Sequence, residues 1–221
     1  MTTELHSQRL DAVLDAVRLS GARSVLDLGC GDGAFLMRLL GVREIERVVG
    51  IDLSAASLRV LRRRLHGVPM HVAEKVKLIQ GSMTEQGQAI AGFDAAVIIE
   101  AIEHIDPDRL SGIEQAVFSD LAPPTVIVTT PNADFNTLLG VPHHRFRHSD
   151  HRFEWGRAKF RAWADGVARR NRYAAELSDI AGVHPRYGGA SQMAIFRSLP
   201  NGRTGGQLIP GLERETTHSR G

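Results

Sequence analysis

A short apolar run that ends in alternating glycines constrains the fold of this chain more than any other feature. The residues from Val25 to Leu28 are apolar except for Asp27, and the sequence Gly-Cys-Gly-Asp-Gly follows at positions 29–33. Glycine permits a tight turn and lets backbone N–H groups approach a ligand closely. The segment therefore predicts a buried strand at 24–28 that turns through a ligand-binding loop into a helix.

Strand-like and helix-like patterns alternate along most of the chain. An opening amphipathic helix is expected to end near Ser20, and further strands are expected at 47–51, 76–80, 93–99 and 125–130, with helices at 34–40, 55–66 and 108–118. This alternation predicts an α/β fold, Rossmann-like, with a doubly wound and mostly parallel sheet. After a long loop at 131–150, we expect a helix at 157–170 and an antiparallel C-terminal edge hairpin of strands at 173–179 and 192–197.

The length and composition fit a single domain. The 221 residues are 43% hydrophobic and 24% charged, and we expect a domain at 1–198 followed by a polar, disordered tail at 199–221. No apolar run is long enough to cross a bilayer, and the first residues lack the apolar core of a signal peptide, so we expect a cytoplasmic protein that does not bind membranes. We also expect a monomer. The single cysteine, Cys30, excludes a disulfide within this sequence.

Acidic residues at two strand ends indicate the ligand of the glycine loop. Asp52 closes the second predicted strand, where a carboxylate suits two ribose hydroxyls. Asp27 opens the loop, where it favours the positively charged amino group of a methionine moiety and would be poorly placed beside a pyrophosphate. A dinucleotide ligand and a glycine turn without any ligand are the alternatives, because nicotinamide and flavin proteins use similar loops.

The complete pattern resembles the first motif of the class I S-adenosylmethionine-dependent methyltransferases. That motif is an acidic residue followed by glycines at alternate positions. The resemblance implies that S-adenosyl-L-methionine is the cofactor, that Asp52 holds its ribose and that Ser82 and Met83 flank its adenine. The implied cofactor-binding residues are Asp27, Gly29, Gly31, Gly33, Asp52, Ser82 and Met83.

A second group of polar residues follows the fourth predicted strand. Glu100, Glu103 and His104 have the spacing i, i+3, i+4, which places them on one face if the segment forms a helical turn. Carboxylates and imidazoles without thiolates suit Mn²⁺, Mg²⁺ or Fe²⁺, with Zn²⁺ also compatible. A similar segment recurs in small-molecule methyltransferases that resemble the ubiquinone-pathway enzymes, so this segment alone leaves metal binding open.

Two later segments carry a more specific resemblance. TTPNADFN at 129–136 and FRHSDHRFEWGRAKFRAWA at 146–164 resemble the small-RNA 3′-terminal ribose 2′-O-methyltransferases, which modify plant microRNAs and animal piwi-interacting RNAs and have bacterial relatives in RNA repair. The likeness extends over 25–196. It implies metal-dependent methyl transfer from S-adenosyl-L-methionine to the 2′-hydroxyl of the 3′-terminal nucleotide, with the RNA 3′ end as partner.

The same resemblance implies which residues hold the divalent ion, Mn²⁺ or Mg²⁺. These are Glu100, Glu103, His104 and His151, and they are also the implied catalytic residues. Binding of the ion to the two free hydroxyls of a terminal ribose would explain a preference for 3′ ends. Among the neighbouring histidines, His143, His144 and His148 are expected to face RNA or to be merely exposed. Gly156 stands where the family has threonine, which should weaken the start of the following helix.

Basic residues concentrate near these motifs. The stretch 143–172 carries nine lysines and arginines against three acidic residues, although the formal net charge of the whole chain is only +2. Such an excess suits an RNA backbone, and a solvated helix face is the alternative interpretation. Phe153 or Trp155 could stack on a base, although packing in the core is the expected role of both aromatic residues.

Two other functions fit parts of the sequence. A small-molecule O-methyltransferase acting on a catechol or quinol would also use a vicinal diol, but it would not need the basic stretch. An RNA-binding module that retains the fold without catalysis would not need the complete set of cofactor and metal residues.

Overall fold

A seven-stranded sheet forms the centre of the protein in a computed structural model, which describes residues 4–86 and 90–200. The strands are β1 (Ser24–Leu28), β2 (Arg47–Asp52), β3 (Val76–Gln80), β4 (Ala95–Ile99), β5 (Thr125–Pro131), β6 (Tyr173–Ile180) and β7 (Ser191–Ser198). Their order across the sheet is β3-β2-β1-β4-β5-β7-β6. The first five strands are parallel, and β7 lies antiparallel between β5 and β6.

Helices cover both faces of this sheet. They are α1 (Glu4–Ser20), α2 (Ala34–Leu39), α3 (Ala55–Leu65), α4 (Met70–Ala73), α5 (Leu110–Glu114) and α6 (Arg157–Asn171). Buried residues of α1, α2 and α3 pack in one core cluster, and buried residues of α5 and α6 pack in another. The predicted doubly wound α/β sheet with an antiparallel C-terminal hairpin is therefore confirmed.

Several elements differ from the sequence prediction in detail. The helix expected at 108–118 is a 3-10 turn at Pro107–Arg109, then α5, then a π-helix at Gln115–Leu121. The expected loop at 131–150 begins as the end of β5 and includes a 3-10 helix at Ala133–Leu139. The side chain of Asn132 accepts a hydrogen bond from the Asp134 N–H at 3.0 Å, and this local cap starts the 3-10 helix in a segment without helical periodicity.

The start of α6 is capped from a distant segment. Gly156 offers no side chain to the first turn, as expected from the missing threonine, but Asp134 Oδ2 accepts a hydrogen bond from the Arg157 N–H at 3.1 Å. A Cβ atom on Gly156 would collide with the Asp134 carboxylate. The expected weakening is therefore compensated, because Asp134 occupies the space that a side chain at position 156 would need.

The described residues end at position 200, two residues beyond β7. The predicted tail at 199–221 falls outside the described residues from position 201 onward, so its disorder and the domain boundary at 198 stay predictions. Within the described residues, no helix combines the length and apolar character needed to cross a membrane.

A side chain would be unfavourable for different reasons at two glycines of the loop after β1. Gly31 and Gly33 have φ angles of 56° and 83°, but only at Gly33 would a Cβ meet another group, the Leu61 side chain of α3. We expect Gly31→Ala to lower the free energy of unfolding by about 1 kcal/mol, the cost of a left-handed residue. Gly33→Ala should lower it by about 1–3 kcal/mol more, because α3 must also move. Urea denaturation measures both, and equal losses would contradict this explanation.

Candidate active site

The loop after β1 has the backbone conformation that its glycines predict. Gly29, Gly31 and Gly33 all have positive φ angles, at 85°, 56° and 83°. The Gly31 N–H donates a hydrogen bond to Asp52 Oδ2 at 2.7 Å, and the Ser54 N–H donates to Asp52 Oδ1 at 2.7 Å. The carboxylate at the end of β2 is thus fixed in position beside the loop.

Asp27 lies beneath the loop with an unmatched oxygen. The residue is 2% exposed, and its Oδ2 atom has no hydrogen-bond partner among the described residues. Burial, and secondarily the charge of Asp52, raises the pKa of Asp27 to about 7. A buried carboxylate without a partner is costly, so a positively charged group is the ligand that this position would accept most favourably.

One cavity of about 800 Å³ is lined by four of the predicted cofactor residues and by two of the predicted metal ligands. It lies where β1, β2, β3 and β4 end, as expected for a ligand site in a doubly wound sheet. Gly29, Asp52, Ser82 and Met83 belong to its lining on the side of β1 to β3. Glu100, His104, Arg109 and Arg152 line the side beyond β4.

Glu103 is the most deeply buried of the predicted metal ligands. It lies in the 3-10 turn Ile102–His104 and is 0% exposed. Its Oε2 atom accepts a hydrogen bond from Thr130 Oγ1 at 3.0 Å, whereas Oε1 has no partner in the described part of the chain. Burial, and secondarily the charge of Glu100, raises the pKa of Glu103 well above its ordinary value.

His151 reaches the same place from the long loop before α6. Glu103, His104 and His151 each offer a potential ligand atom, and these atoms all lie within 4.8 Å of one another. The two imidazole rings are 4.9 Å apart. The Arg152 N–H donates to the Glu103 carbonyl at 2.7 Å, which ties the loop to the 3-10 turn. Three of the four predicted metal ligands are therefore brought together.

Glu100 is held differently. It ends the region of β4 with a φ angle of 47°, so the helical face expected from the spacing of Glu100, Glu103 and His104 does not form. The Glu100 carboxylate instead accepts hydrogen bonds from Thr129 Oγ1 at 3.0 Å and Ser191 Oγ at 3.3 Å. Its charge adds to the effect of burial in raising the pKa of Glu103.

Arg9 is a site residue that the sequence analysis missed. Arg9 Nη2 lies 3.2 Å from Glu100 Oε2, and Arg9 Nε donates to Ser191 Oγ at 3.0 Å. The side chains of Arg9 and Glu100 are only 14% and 17% exposed. The helical pattern of α1 marks its apolar face but carries no signal for this pairing, because the partners come from distant parts of the chain.

Glu154 and Arg147 support His151. Glu154 Oε1 lies 2.6 Å from His151 Nδ1 and also accepts the Arg147 N–H at 2.7 Å. The Arg147 side chain donates to the Ala190 carbonyl at 2.6 Å and to the Asn132 carbonyl. We expected the basic stretch to follow RNA phosphates. For Arg147 this is wrong, because its guanidinium donates hydrogen bonds to backbone carbonyls within the protein.

Other arginines of the basic stretch form ion pairs within the protein. Arg170 pairs with Glu114 at 2.7 Å, and Arg157 lies 3.3 Å from Asp134. Phe153 and Trp155 are each 6% exposed and stack at 4.2 Å between ring centroids, so core packing is confirmed and neither presents a free ring face to a base. The three other histidines of the loop, His143, His144 and His148, are exposed.

Comparisons of sequence agree with this geometry. A family model described as a methyltransferase domain matches residues 26–124. The small RNA 2′-O-methyltransferase of Gallus gallus is 38% identical over 186 residues, which make up 81% of this chain and 49% of that protein. The small RNA 2′-O-methyltransferase of Arabidopsis thaliana is 34% identical over 213 residues, 87% of this chain and 22% of that protein.

Solved structures give the same result. The crystal structure of the methyltransferase domain of bacterial CtHen1 is 34% identical, with a TM-score of 0.79 and coverage of 87% of this chain and 99% of that one. The crystal structure of the small RNA methyltransferase HEN1 is 35% identical, with a TM-score of 0.81 and coverage of 88% and 26%.

The sheet order and the glycine loop define a class I S-adenosylmethionine-dependent methyltransferase fold. Within that class, the chain belongs to the family of small RNA 2′-O-methyltransferases. It spans about half the length of the Gallus gallus relative and about a fifth of the Arabidopsis thaliana relative.

Asp27 should make the stability of the ligand-free protein depend on pH. Because the pKa of Asp27 is raised to about 7 in the folded state, the folded protein keeps this proton where the unfolded chain has lost it. The cost of the buried charge is absent below about pH 4 and complete above about pH 7. We expect Asp27→Asn to remove a loss on the order of 2–4 kcal/mol in unfolding free energy across that range.

Urea denaturation at several pH values tests this expectation. Asp94→Asn is a useful control, because hydrogen bonds from Ser24 lower the pKa of Asp94. Asp94 therefore contributes stability that is present above its unfolded pKa and lost as the pH falls, the opposite direction to Asp27. The same pH dependence in the wild type and in Asp27→Asn would contradict the assignment of a buried charge to Asp27.

Proposed function

We propose that this protein transfers a methyl group from S-adenosyl-L-methionine to the 2′-hydroxyl of the 3′-terminal nucleotide of small RNA, with the help of a divalent cation. The observation that carries the proposal is the unpartnered Glu103 Oε1, since the Glu103 carboxylate lies among two imidazoles beside the cavity that the glycine loop lines. The names of the relatives supply the substrate class.

The residues of the glycine loop fit the proposed cofactor. The unpartnered Asp27 Oδ2 would accept the ammonium group of its methionine moiety, and the fixed carboxylate of Asp52 would accept its ribose hydroxyls. Ser82 and Met83, after β3, would lie against the adenine. Gly29 and Gly31 would allow close approach of the backbone, whereas Gly33 mainly makes room for Leu61 of α3.

The second group of residues fits a divalent cation. Glu103, His104 and His151 would hold it, with Glu100 as the fourth ligand if its contact with Arg9 is exchanged for the ion. Two nitrogen and two oxygen donors without thiolate suit Mn²⁺ or Mg²⁺. When bound, such an ion lowers the pKa of a hydroxyl group and stabilises negative charge on its oxygen.

The protein's own residues position the reactants. Glu154 engages His151 Nδ1 and so leaves Nε2 as the free ring nitrogen, and Thr130 orients the Glu103 carboxylate. Arg109 and Arg152 line the cavity, the latter 3.8 Å from Asp106, and they would face a phosphate of the RNA strand. With both substrates in one cavity, correct orientation of the hydroxyl toward the methyl group would supply much of the rate acceleration.

The position of the reaction at the 3′ end follows from the sugar. A terminal ribose has free 2′ and 3′ hydroxyls, whereas an internal ribose has its 3′ oxygen in a phosphodiester. We propose that both hydroxyls must be free. A monomeric state and a cytoplasmic location also stay predictions from the sequence.

Removal of a proposed metal ligand should abolish activity. We expect Glu103→Gln and His151→Ala to lose at least about 100-fold in methyl transfer to RNA with a free 3′ end, because ligand loss weakens metal binding. The assay uses labelled methyl donor and Mn²⁺, followed by periodate treatment, which cleaves unmodified ends only. Isothermal titration with Mn²⁺ should show weakened binding in both variants.

Glu176→Gln is the matched control for these substitutions. Glu176 is an exposed glutamate of β6 that pairs with Arg197. It does not line the cavity, so the variant should behave as the wild type. Undiminished methyl transfer by either ligand variant in the presence of a chelator would contradict metal dependence.

The sugar requirement can be tested by changing the RNA alone. We expect oligonucleotides with a 2′-deoxy end to accept no methyl group, because the acceptor oxygen is missing. A 3′-deoxy end should be methylated at least about tenfold less efficiently, because one of the two required hydroxyls is absent. Equal rates for 3′-deoxy and natural ends would show that the 3′ hydroxyl has no role.

A further inference from the structure

Phe146 presents an aromatic ring at the surface, two residues before His148, whose ring lies next to the imidazoles of the candidate active site. Its exposed fraction is 47%, whereas the two aromatic residues that follow, Phe153 and Trp155, are 6% exposed and packed together. A single exposed apolar residue is common on protein surfaces. What distinguishes Phe146 is its fixed backbone, its basic neighbours and its short separation along the chain from the imidazole cluster.

The attachment comes from Arg147, the next residue. The Arg147 side chain points into the protein, where it donates to Asn136 Oδ1 at 2.5 Å and to the carbonyls of Ala190 and Asn132. Its backbone N–H donates to Glu154. The backbone beside Phe146 is therefore fixed, and a ring held on a fixed backbone loses little conformational entropy when a ligand binds.

The neighbours of Phe146 suit a nucleic acid strand. His143, His144 and Arg145 directly precede it and are all exposed, and a backbone hydrogen bond from Arg145 to Pro142 at 2.9 Å turns this segment. An exposed aromatic ring next to basic side chains is the combination that single-stranded nucleic acid binders use. Bases stack on the ring, while cations lie along the phosphates.

The position along the chain connects Phe146 to the cavity. His148, two residues further on, has its ring 6.1 Å from the ring of His104 and 5.7 Å from that of His151. A nucleotide whose ribose lies at the imidazole cluster would thus have its own base, or the base before it, beside this segment.

We propose that Phe146 is a binding residue for the RNA 3′ end, and that its ring stacks on the base of one of the last two nucleotides. This inference rests on the proposed function, because it presumes an RNA end in the cavity. Stacking requires only the π-face that every base has, so the contact would tolerate any base at the terminus.

Substitutions that keep or remove the ring test the proposal. We expect Phe146→Leu, which is apolar without a ring, to raise the KM for RNA about tenfold with little change in the KM for S-adenosyl-L-methionine. Phe146→Trp should keep the KM for RNA within about twofold of the wild type. RNA should also quench additional tryptophan fluorescence in Phe146→Trp compared with the wild type. Leu19→Ala truncates a residue of α1 that is 84% exposed and should leave both KM values unchanged.

Oligonucleotides without a base at the last or the second-last position identify the stacked base. For one of the two, the wild type and Phe146→Leu should have the same KM, because the partner of the ring is missing. An unchanged KM for natural RNA in Phe146→Leu, or a difference that persists on both abasic oligonucleotides, would overturn the stacking proposal alone. If the wild type methylates no RNA, the proposed function is wrong, and absence of quenching in Phe146→Trp then overturns stacking as well.

Discussion

Glu103 places a carboxylate where no solvent reaches, and only one of its two oxygens has a hydrogen-bond donor among the described residues. Burial of a charged group costs several kcal/mol unless a partner compensates for the lost hydration. Thr130 donates a hydrogen bond to one of the oxygens, which offsets part of that cost. The Arg152 N–H donates to the Glu103 carbonyl and so fixes the loop to the backbone of Glu103. The proposed cation would remove this penalty, and the imidazoles of His104 and His151 lie where they could bind it together with Glu103.

The loop between β5 and α6 depends on the same region. It is long and has little regular structure, yet Arg147 fixes it to the carbonyls of Ala190 and Asn132, and Glu154 connects Arg147 to His151. A half-buried guanidinium bound to several acceptors holds the middle of this loop in place. The loop therefore holds His151 at the imidazole cluster and keeps the exposed Phe146 on a fixed backbone nearby in the chain.

Local patterns predicted what depends on nearby residues. The strand at 24–28 matches the structure because its apolar run is fully buried, and the half-exposed strand at 76–80 matches in its bounds as well. The glycine loop has the predicted positive φ angles. Glu103, His104 and His151 were found through motifs and do lie together. The sequence could not show the pairing of Arg9 with Glu100, the internal hydrogen bonds of Arg147 or the cap that Asp134 provides for α6. In each case the partner is remote along the chain, and an arginine looks the same whether it meets solvent or a carbonyl.

The contact of Arg9 with Ser191 joins residues 182 positions apart, and Glu100 from the middle of the chain meets both of them. Such a contact closes a long loop and cannot form before β7 has been synthesised. During synthesis, the first helix and the end of β4 are complete long before β7 leaves the ribosome. Glu100 consequently acquires its full set of hydrogen-bond partners late, and in a nascent chain without β7 its carboxylate would lack the hydrogen bond from Ser191.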